Sequence, residues 1–269
     1  MKTINVSPSR LNTFQKCRWM YYCKYILKLP DEGGDKTRLG SVIHEIFELI
    51  SRPSKQEQRK KYILHSIETK KLYPSLHRLF QKILNRFKIP VGELRELGEQ
   101  LLINAFCSGY DIKSKVLDVE KDFHIQVSEN VYIKGFIDKI LELDDNTLEL
   151  IDYKSGAPFN DEKCNSEFQP FFYKLAAQKL FPKYKNFLFS FHFLKNKKII
   201  TVSKDNEELA RFLNFIIAQG ILMLNFDLKD ANCNTGWHCK WCKFKEPNPE
   251  LNYTGCPAYF DKNGESRFK

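Results

Sequence analysis

Two apolar runs joined by a short polar turn constrain the fold of this chain more than any other feature. Residues 131–143 and 147–154 show the alternation of β-strands, and Asp144-Asp145-Asn146 between them is typical of a turn. Consecutive strands joined by so short a connection pair as an antiparallel hairpin. The segment is therefore predicted to be a β-hairpin with a three-residue loop.

The predicted hairpin brings two carboxylates together. If Leu143 pairs with Thr147, counting outward places Asp138 directly opposite Asp152, with Cβ atoms about 4.5–5.5 Å apart. Lys154 lies two residues along, on the same face. Like charges placed opposite each other destabilise a sheet, and a divalent cation such as Mg²⁺ would offset them. A register slipped by one residue, or neutralisation by Lys154 alone, would leave no metal site.

The positive charge of the chain is concentrated in one segment. The sequence has 43 Lys and Arg against 33 Asp and Glu, a net charge of +10, and residues 52–88 supply eleven of the basic residues and only two acidic ones. Apolar positions at helical intervals predict amphipathic helices with cationic outer faces, which favour a polyanionic partner over a merely solvated surface. The basic residues are Arg52, Lys55, Arg59, Lys60, Lys61, Lys70, Lys71, Arg78, Lys82, Arg86 and Lys88.

The remaining periodicity predicts an α/β core entered through an N-terminal helical region. The opening helix is expected to be capped by Ser7 or Ser9. No segment approaches the roughly 18 apolar residues of a transmembrane helix, and residues 1–10 lack an apolar signal region, so a cytoplasmic protein is expected. Expected helices cover 7–27, a stretch from about 40, 93–105, 167–181 and 206–224, and the further strands cover 117–127 and 187–194.

Eight cysteines are present, and several cluster near the C-terminal end. Cys239 and Cys242 form a C-x-x-C pair, which Cys233 and Cys256 flank. In an intracellular chain such a cluster indicates metal ligands, and these four residues could form a local zinc site. Three of the others are expected to be buried small apolar residues: Cys23, Cys107 and Cys164.

Several motifs in order resemble the PD-(D/E)xK nuclease superfamily, in the RecB/AddB-type branch that includes CRISPR-adaptation nucleases. The core pattern is Asp138 in "GFIDKI", followed by residues 152–154 in "IDYKSG". The stretch "GSVIHEIFE" has His44 at the position of a metal ligand in that branch. Gln169 and Tyr173 in "FQPFFYKLAA" resemble its Q-x-x-x-Y helix motif, and "SPSRLNTFQKCRWMYYCKY" and "GWHCKWCKFK" resemble its terminal, iron–sulfur blocks.

The resemblance implies a restriction-endonuclease-like α/β core, with a central mixed sheet flanked by helices, an N-terminal helical region and a Cys-rich C-terminal segment. Residues 1–269 would form a single nuclease domain, and a [4Fe–4S] cluster is favoured over zinc, with Cys233 in reserve because the gap before Cys256 is long. The cluster ligands would be Cys17, Cys239, Cys242 and Cys256. The expected parts of the domain are a basic helical insertion at about 52–115, a catalytic core at about 116–225 and a cysteine cluster at 233–256 tied to Cys17.

The resemblance also implies a site that hydrolyses phosphodiesters. Lys154 would orient the attacking water or stabilise the pentavalent transition state. Gln169 and Tyr173, four residues apart on one helix face, would position the substrate or the active site. Glu120 is expected to be a solvated charge, with a supporting role in the site as the lesser alternative. Mg²⁺ or Mn²⁺ would be held by His44, Asp138, Asp152 and the backbone carbonyl of Tyr153.

The function expected from these features is that of a metal-dependent DNA nuclease. It would act as an exonuclease on single strands or free ends in DNA repair, recombination, phage replication or CRISPR spacer processing, in a prokaryotic or phage-infected cell. The sequence has no G-x-x-x-x-G-K-[S/T] motif, so a stand-alone nuclease is expected. The alternatives are a non-catalytic nucleic-acid-binding module with a four-cysteine zinc site, an endonuclease of the same fold and an RNA-directed enzyme.

Overall fold

The computed structural model describes residues 2–31 and 33–259. The chain divides into two compact units, and the first of them draws on three separated stretches of sequence. These stretches lie within residues 1–32, 126–133 and 213–269, whereas the second unit consists of residues 33–125 and 134–212.

Four helices open the second unit and share one apolar core with the sheet. Their bounds are α3 Asp35–Ser51, α4 Gln56–Thr69, α5 Pro74–Arg86 and α6 Glu93–Ser108. Helix α3 begins five residues before the expected start at Gly40, because the carbonyl of Gly34 accepts hydrogen bonds from Thr37 and Arg38 at 2.8 and 3.1 Å. Buried residues from the helices and from two strands form the core: Val42, Ile43, Ile46, Phe80, Leu102, Leu141 and Ile151.

The basic segment forms α4 and α5, and its cationic residues lie outside with two exceptions. Lys55 is half-buried, and Arg59 is only 2% exposed. The prediction that Arg59 belongs to a cationic outer face is therefore wrong, because its guanidinium is bound by the carbonyls of Asp111 and Ser114 at 3.3 and 3.2 Å. The other basic residues of the segment are exposed, as the pattern predicts.

The strands of the second unit form a mixed sheet, as expected. The pair β3–β4 is antiparallel, β4–β5 is parallel and β5–β6 is antiparallel, and β2 pairs with β3. A parallel pair requires a crossover, which here consists of α7 and α8. Strand β6 and helix α7 were not predicted. The bounds are β2 Lys115–Ser128, β3 Val131–Asp144, β4 Thr147–Lys154, α7 Asp161–Ser166, α8 Gln169–Leu180, β5 Asn186–Phe193 and β6 Lys198–Val202.

The turn of the β3–β4 hairpin differs from the predicted one. Thr147 pairs with Asp144 rather than with Leu143, and the register shifts between Glu142 and Asp144. The bulge leaves Leu143 out of the ladder, so the pairing beyond it returns to the predicted register, with Lys139 opposite Ile151. The predicted loop is therefore wrong, whereas the predicted alignment of the two strands is right.

In the first unit, the opening helix is interrupted at Cys17. Ser7 caps α1 by accepting a hydrogen bond from the Arg10 N–H at 3.2 Å, as expected. Cys17 is extended, with φ −161° and ψ 120°, so the expected continuous helix breaks there. The segments are β1 Ile4–Val6, α1 Pro8–Lys16, α2 Arg18–Tyr21 and a π-helical turn at Tyr22–Ile26.

One long helix and a succession of short turns follow in the described part of the first unit, up to residue 259. Strand β1 pairs in parallel with residues 131–133 of β3, and α9 (Asn206–Leu224) enters this unit at Leu213. Among the described residues, no helix is both long and apolar enough to cross a membrane. Between α9 and residue 259 lie three short 3₁₀ helices, at Leu228–Asp230, Trp237–Trp241 and Pro249–Leu251.

Candidate metal centre

Three side chains from different elements of the second unit converge on one point. His44 projects from α3, Glu120 from β2 and Asp138 from β3. The Nδ1 atom of His44 is 3.2 Å from Asp138 Oδ2 and 3.9 Å from Glu120 Oε1. One ligand atom from each of the three residues lies within 4.8 Å of the other two, which is a spacing that a single cation can bridge.

The backbone of Tyr153 completes this group from β4. Its N–H donates a hydrogen bond to Asp138 Oδ2 at 2.8 Å, and its carbonyl oxygen lies 3.1 Å from His44 Nε2. The ring stacks on Phe47, with centroids 4.0 Å apart and planes 14° apart, so packing fixes the backbone position. The carbonyl faces Nε2, whereas the two carboxylates face Nδ1, so the spacing to compare with an ion is the 3.2 Å between His44 Nδ1 and Asp138 Oδ2. Neighbouring ligands of an octahedral ion with bonds of about 2.1 Å are about 3 Å apart, which fits that distance.

Asp152 and Lys154 form the second half of the site. Asp152 Oδ2 is 2.8 Å from Lys154 Nζ, and its Oδ1 accepts a hydrogen bond from Gln169 Nε2 at 2.6 Å. Lys154 Nζ donates to Gln169 Oε1 at 2.7 Å. The amide of Gln169 therefore holds both the carboxylate and the ammonium group. It also lies 3.5 Å from the hydroxyl of Tyr173, which is one turn further along α8.

The electrostatics of this site favour a cation. Burial raises the pKa of Asp138, the nearby charge of Asp152 raises it further, and His44 opposes the rise. Burial would lower the pKa of His44, but Asp138, Glu120 and Asp152 outweigh that effect and raise it well above its ordinary value. The buried Asp152 Oδ2 has no hydrogen-bond partner, although the ammonium of Lys154 is close to it. Oxygen-rich donors with one imidazole suit Mg²⁺ or Mn²⁺.

The structure brings together every residue that the sequence singled out for this site. They line one open groove of about 1490 Å³, whose walls also include Lys36, Glu45 and Glu48. The site residues in the groove are His44, Glu120, Asp138, Asp152, Tyr153, Lys154, Gln169 and Tyr173. Their chemical roles stay predictions.

Glu120 is the residue that the sequence undervalued. The main prediction for Glu120 was a solvated charge on the polar face of a strand. This prediction is wrong, because the carboxylate lies beside His44 and Asp138. Glu120 has φ of 45°, in the left-handed region, although it is not glycine. Such irregularities within a strand re-aim a side chain, and a period-two pattern gives no sign of them.

Five cysteines line one cavity in the first unit. The cavity has an empty volume of about 350 Å³ and is bordered by residues from the helix break and from the C-terminal turns. Cys233 Sγ and Cys256 Sγ are 3.5 Å apart. The cysteines are Cys17, Cys233, Cys239, Cys242 and Cys256. The structure thus places the members of both predicted ligand sets around the same cavity.

The three remaining cysteines lie elsewhere. Cys23 and Cys164 are fully buried, as predicted. Cys107 is half-buried, and its thiol donates to the carbonyl of Ser66 at 3.0 Å. Burial raises the pKa of Cys23 to about 11 and also raises that of Cys164, so both thiols stay protonated.

A buried group of charges includes the residue next to Asp138 in sequence and was not predicted. Lys139, which follows Asp138 on β3, is 2% exposed and forms an ion pair with Asp111. Arg59 Nη1 is 3.4 Å from the same carboxylate. Because consecutive residues of a strand face opposite sides, Asp138 and Lys139 serve different clusters. The pairing joins positions far apart in sequence, so no local pattern reveals it.

The chain belongs to the PD-(D/E)XK nuclease superfamily, whose family model matches residues 5–246. Curated relatives from two streptococci are each described as a subunit of an ATP-dependent helicase/deoxyribonuclease. The Streptococcus pyogenes serotype M12 protein is 26% identical over 157 residues, which cover 57% of this chain but 14% of that protein. The Streptococcus mutans protein is 25% identical over 178 residues, which cover 65% and 16% of the two chains.

A solved structure shares the fold. It is a protein from Eubacterium rectale described as a candidate exonuclease, and it matches with a TM-score of 0.53 over 91% of this chain and 90% of that one. The identity is 11%, so the similarity concerns the fold alone. The expected mixed α/β nuclease fold is confirmed.

Proposed function

We propose that this chain is a Mg²⁺- or Mn²⁺-dependent deoxyribonuclease that acts as an exonuclease on single strands or free ends. The observation that carries the proposal is the convergence of His44, Glu120 and Asp138 beside Asp152 and Lys154 in one groove. Membership of a nuclease superfamily and the similarity to proteins named helicase/deoxyribonuclease support it.

His44, Asp138, Asp152 and the carbonyl of Tyr153 would hold the ion, and we add Glu120 to this set because its carboxylate borders His44. A bound divalent cation would lower the pKa of a bound water and neutralise charge on the phosphate. Asp138 is fixed in place by the backbone N–H of Tyr153.

Lys154 would orient the attacking water or stabilise the charge of the transition state. Its ammonium group is held between Asp152 and Gln169 at 2.8 and 2.7 Å, so it does not rely on substrate for its position. Gln169 acts as a positioning residue because it binds Asp152 and Lys154 through the two ends of one amide. Tyr173 supports that amide from the same helix.

Labelled DNA tests the proposal. Linear strands labelled at the 5′ or 3′ end, circular DNA and single strands are incubated with Mg²⁺ or Mn²⁺, and the products are compared with those of Asp152→Asn and Lys154→Met. We expect end-dependent cleavage by the native protein and none by either variant, while Asp145→Asn, an exposed aspartate at the tip of the same hairpin, keeps full activity. Cleavage of circular DNA would indicate an endonuclease, and full activity in both site variants would exclude this site.

We also propose that Cys17, Cys239, Cys242 and Cys256 hold a [4Fe–4S] cluster. Around tetrahedral zinc, with Zn–S bonds of about 2.3 Å, sulfurs are only about 3.8 Å apart. In the part of the chain that the structure describes, no three cysteine sulfurs lie within 4.8 Å of one another, and the five cysteines surround a cavity. The cavity leaves room for a larger group than a single zinc ion, which supports the cluster, whereas the 3.5 Å between Cys233 Sγ and Cys256 Sγ fits the local zinc site.

Metal content and colour distinguish the two assignments. Anaerobic purification is expected to give a brown protein with iron and sulfide, which Cys17→Ser loses and Cys233→Ser retains. A colourless protein that contains zinc, and loses it in Cys233→Ser but not in Cys17→Ser, would contradict the cluster and support the local zinc site.

A further inference from the structure

Two of the three tryptophans of the chain are exposed to solvent. The side chains of Trp237 and Trp241, the tryptophan pair, are 73% and 66% exposed. A tryptophan carries a large apolar surface, and most proteins cover at least part of it. The third, Trp19, packs against Tyr253 and donates a hydrogen bond to its hydroxyl at 2.9 Å. The exposure of the tryptophan pair therefore indicates a surface that binds another molecule.

The two indoles are held on an anchored turn. The 3₁₀ helix that carries them is closed by hydrogen bonds from the Cys239 N–H to the Gly236 carbonyl at 2.9 Å and from the Cys242 N–H to the Cys239 carbonyl at 3.2 Å. The Asn234 amide just before it donates to the Lys16 carbonyl at 2.9 Å. The rings are thus presented by a fixed backbone, which lowers the entropy lost on binding.

The surroundings of the pair are cationic. Lys16 Nζ lies 5.5 Å from the ring centroid of Trp237, and Lys240 Nζ lies 5.7 Å from that of Trp241. From residue 231 to residue 245, between Asp230 and Glu246, the chain has three lysines and no carboxylate, and Lys245 Nζ lies 3.7 Å from Glu246 Oε1. An apolar protein surface would not be complemented by these charges, whereas a strand of phosphates with exposed bases would be.

The ring geometry indicates how bases would bind. The ring centroids are 5.7 Å apart, and the planes meet at 71°, so the two indoles do not share one stacking face. Each can take a separate base, and the lysines can reach the phosphates between them. Stacking on aromatic rings requires unpaired bases, because a duplex keeps its bases stacked on one another.

We propose that Trp237 and Trp241 form a stacking platform for unpaired bases of single-stranded DNA. The choice of DNA rests on the proposed nuclease function, whereas the stacking itself rests on the exposure of the pair and on its lysines. The site lies within the first unit and contains none of the groups assigned to the metal centre.

Comparison of a normal DNA strand with an abasic strand, which has the same backbone but no bases, tests the stacking platform directly. The full-length protein, with its cysteine-bound metal and with no added divalent cation, is titrated with labelled oligo(dT) and with an abasic strand of equal length. The native protein is expected to prefer oligo(dT) and to show quenched tryptophan fluorescence. Each change, Trp237→Ala or Trp241→Ala, should weaken oligo(dT) binding by about five- to 150-fold and leave the abasic strand unaffected.

Three controls separate stacking from other effects. The double variant Trp237→Phe, Trp241→Phe keeps a flat ring at each position and should retain the preference for oligo(dT). The metal content of each variant shows whether the cysteine site near Trp241 is intact. Leu251→Ala removes another exposed apolar side chain of this unit and should change nothing. An unchanged preference in the alanine variants would overturn the proposal and leave a protein partner as the occupant of the pair.

The outcome is distinguishable from failure of the nuclease proposal. Hydrolysis of bis(p-nitrophenyl) phosphate reports the metal centre without any base, and the tryptophan variants should match the native protein there. A protein that prefers oligo(dT) but cleaves neither substrate would exclude the nuclease function and keep the platform. A protein that cleaves both DNA and bis(p-nitrophenyl) phosphate but shows no preference for oligo(dT) would keep the nuclease function and exclude the platform.

Discussion

The backbone N–H of Tyr153 donates a hydrogen bond to Asp138 Oδ2 across the hairpin at 2.8 Å. A carboxylate on one strand is thereby held by the main chain of the next, and the Tyr153 ring is itself fixed between Phe47 and His192. The position of Asp138 therefore depends on the fold rather than on a bound ion, so the ligand group is preformed.

A preformed site should bind an ion without refolding. The variant Asp138→Asn should lose this binding, although its amide oxygen can still accept the hydrogen bond from the Tyr153 N–H. We expect Mn²⁺ at a hundred times its Kd to stabilise the native protein by about 2.7 kcal/mol, seen as a higher Tm, and EDTA to reverse it. The Tm of Asp138→Asn should not respond. An equal response of this variant would show that the ion binds elsewhere, and Asp145→Asn provides the control.

Gln169→Ala should reduce kcat with little effect on KM, because the amide positions Asp152 and Lys154 without being assigned to the substrate. Loss of a group that orients a metal-site residue typically costs about 10- to 100-fold. Steady-state cleavage of labelled DNA measures both constants. Gln178→Ala changes a half-buried glutamine of the same helix and should behave as the native protein. A large increase in KM alone would instead assign Gln169 to substrate binding.

Asp111→Asn should destabilise the protein by about 3–5 kcal/mol, because it leaves the buried Lys139 and Arg59 without their counter-charge. Burial alone would raise the pKa of Asp111, but these two cations lower it below its ordinary value, so the carboxylate is ionised at neutral pH. Denaturant unfolding measures the loss. Asp118→Asn, whose carboxylate is 36% exposed, should change the stability by less than about 0.5 kcal/mol.

His192 should make the protein less stable as the pH falls below about 6.5. Burial, and then the charge of Lys139, lower its pKa to about 3, so between these values the unfolded state binds a proton that the folded state does not. The free energy of unfolding should therefore fall through this residue with a slope that approaches about 1.4 kcal/mol per pH unit, which amounts to about 1.6 kcal/mol between pH 6.5 and pH 5.

Unfolding of His192→Asn at neutral pH and at about pH 5 isolates this contribution. The variant should lose about 2 kcal/mol less than the native protein over that range. Identical pH dependence in the two proteins would show that folding does not lower the pKa of His192.

The parts of the site that the sequence predicted correctly are those that depend on local periodicity. Asp138 and Asp152 were placed together because strand alternation and the hairpin offset determine which side chains meet, and the bulge at Leu143 changed the loop without changing that alignment. Gln169 and Tyr173 were placed together by helical spacing. His44 required the family resemblance, since a histidine on an apolar helix face has no local signal for metal binding.

The parts that were wrong depend on backbone irregularity or on distant partners. Glu120 is turned toward the site by a left-handed φ that no residue type signals, and Cys17 breaks a helix whose apolar spacing runs through it. Arg59 looked like part of a solvated face, because its partner Asp111 lies in a loop more than 50 residues away.

The three-part origin of the first unit has a consequence for how the protein matures. Cys17 leaves the ribosome more than 200 residues before Cys233 and its neighbours, and the whole second unit is synthesised in between. Domains generally fold as units during translation. The second unit can thus fold before Cys233 and its neighbours are synthesised, so the metal group that we propose for Cys17 and these cysteines would be inserted among the last steps of biogenesis.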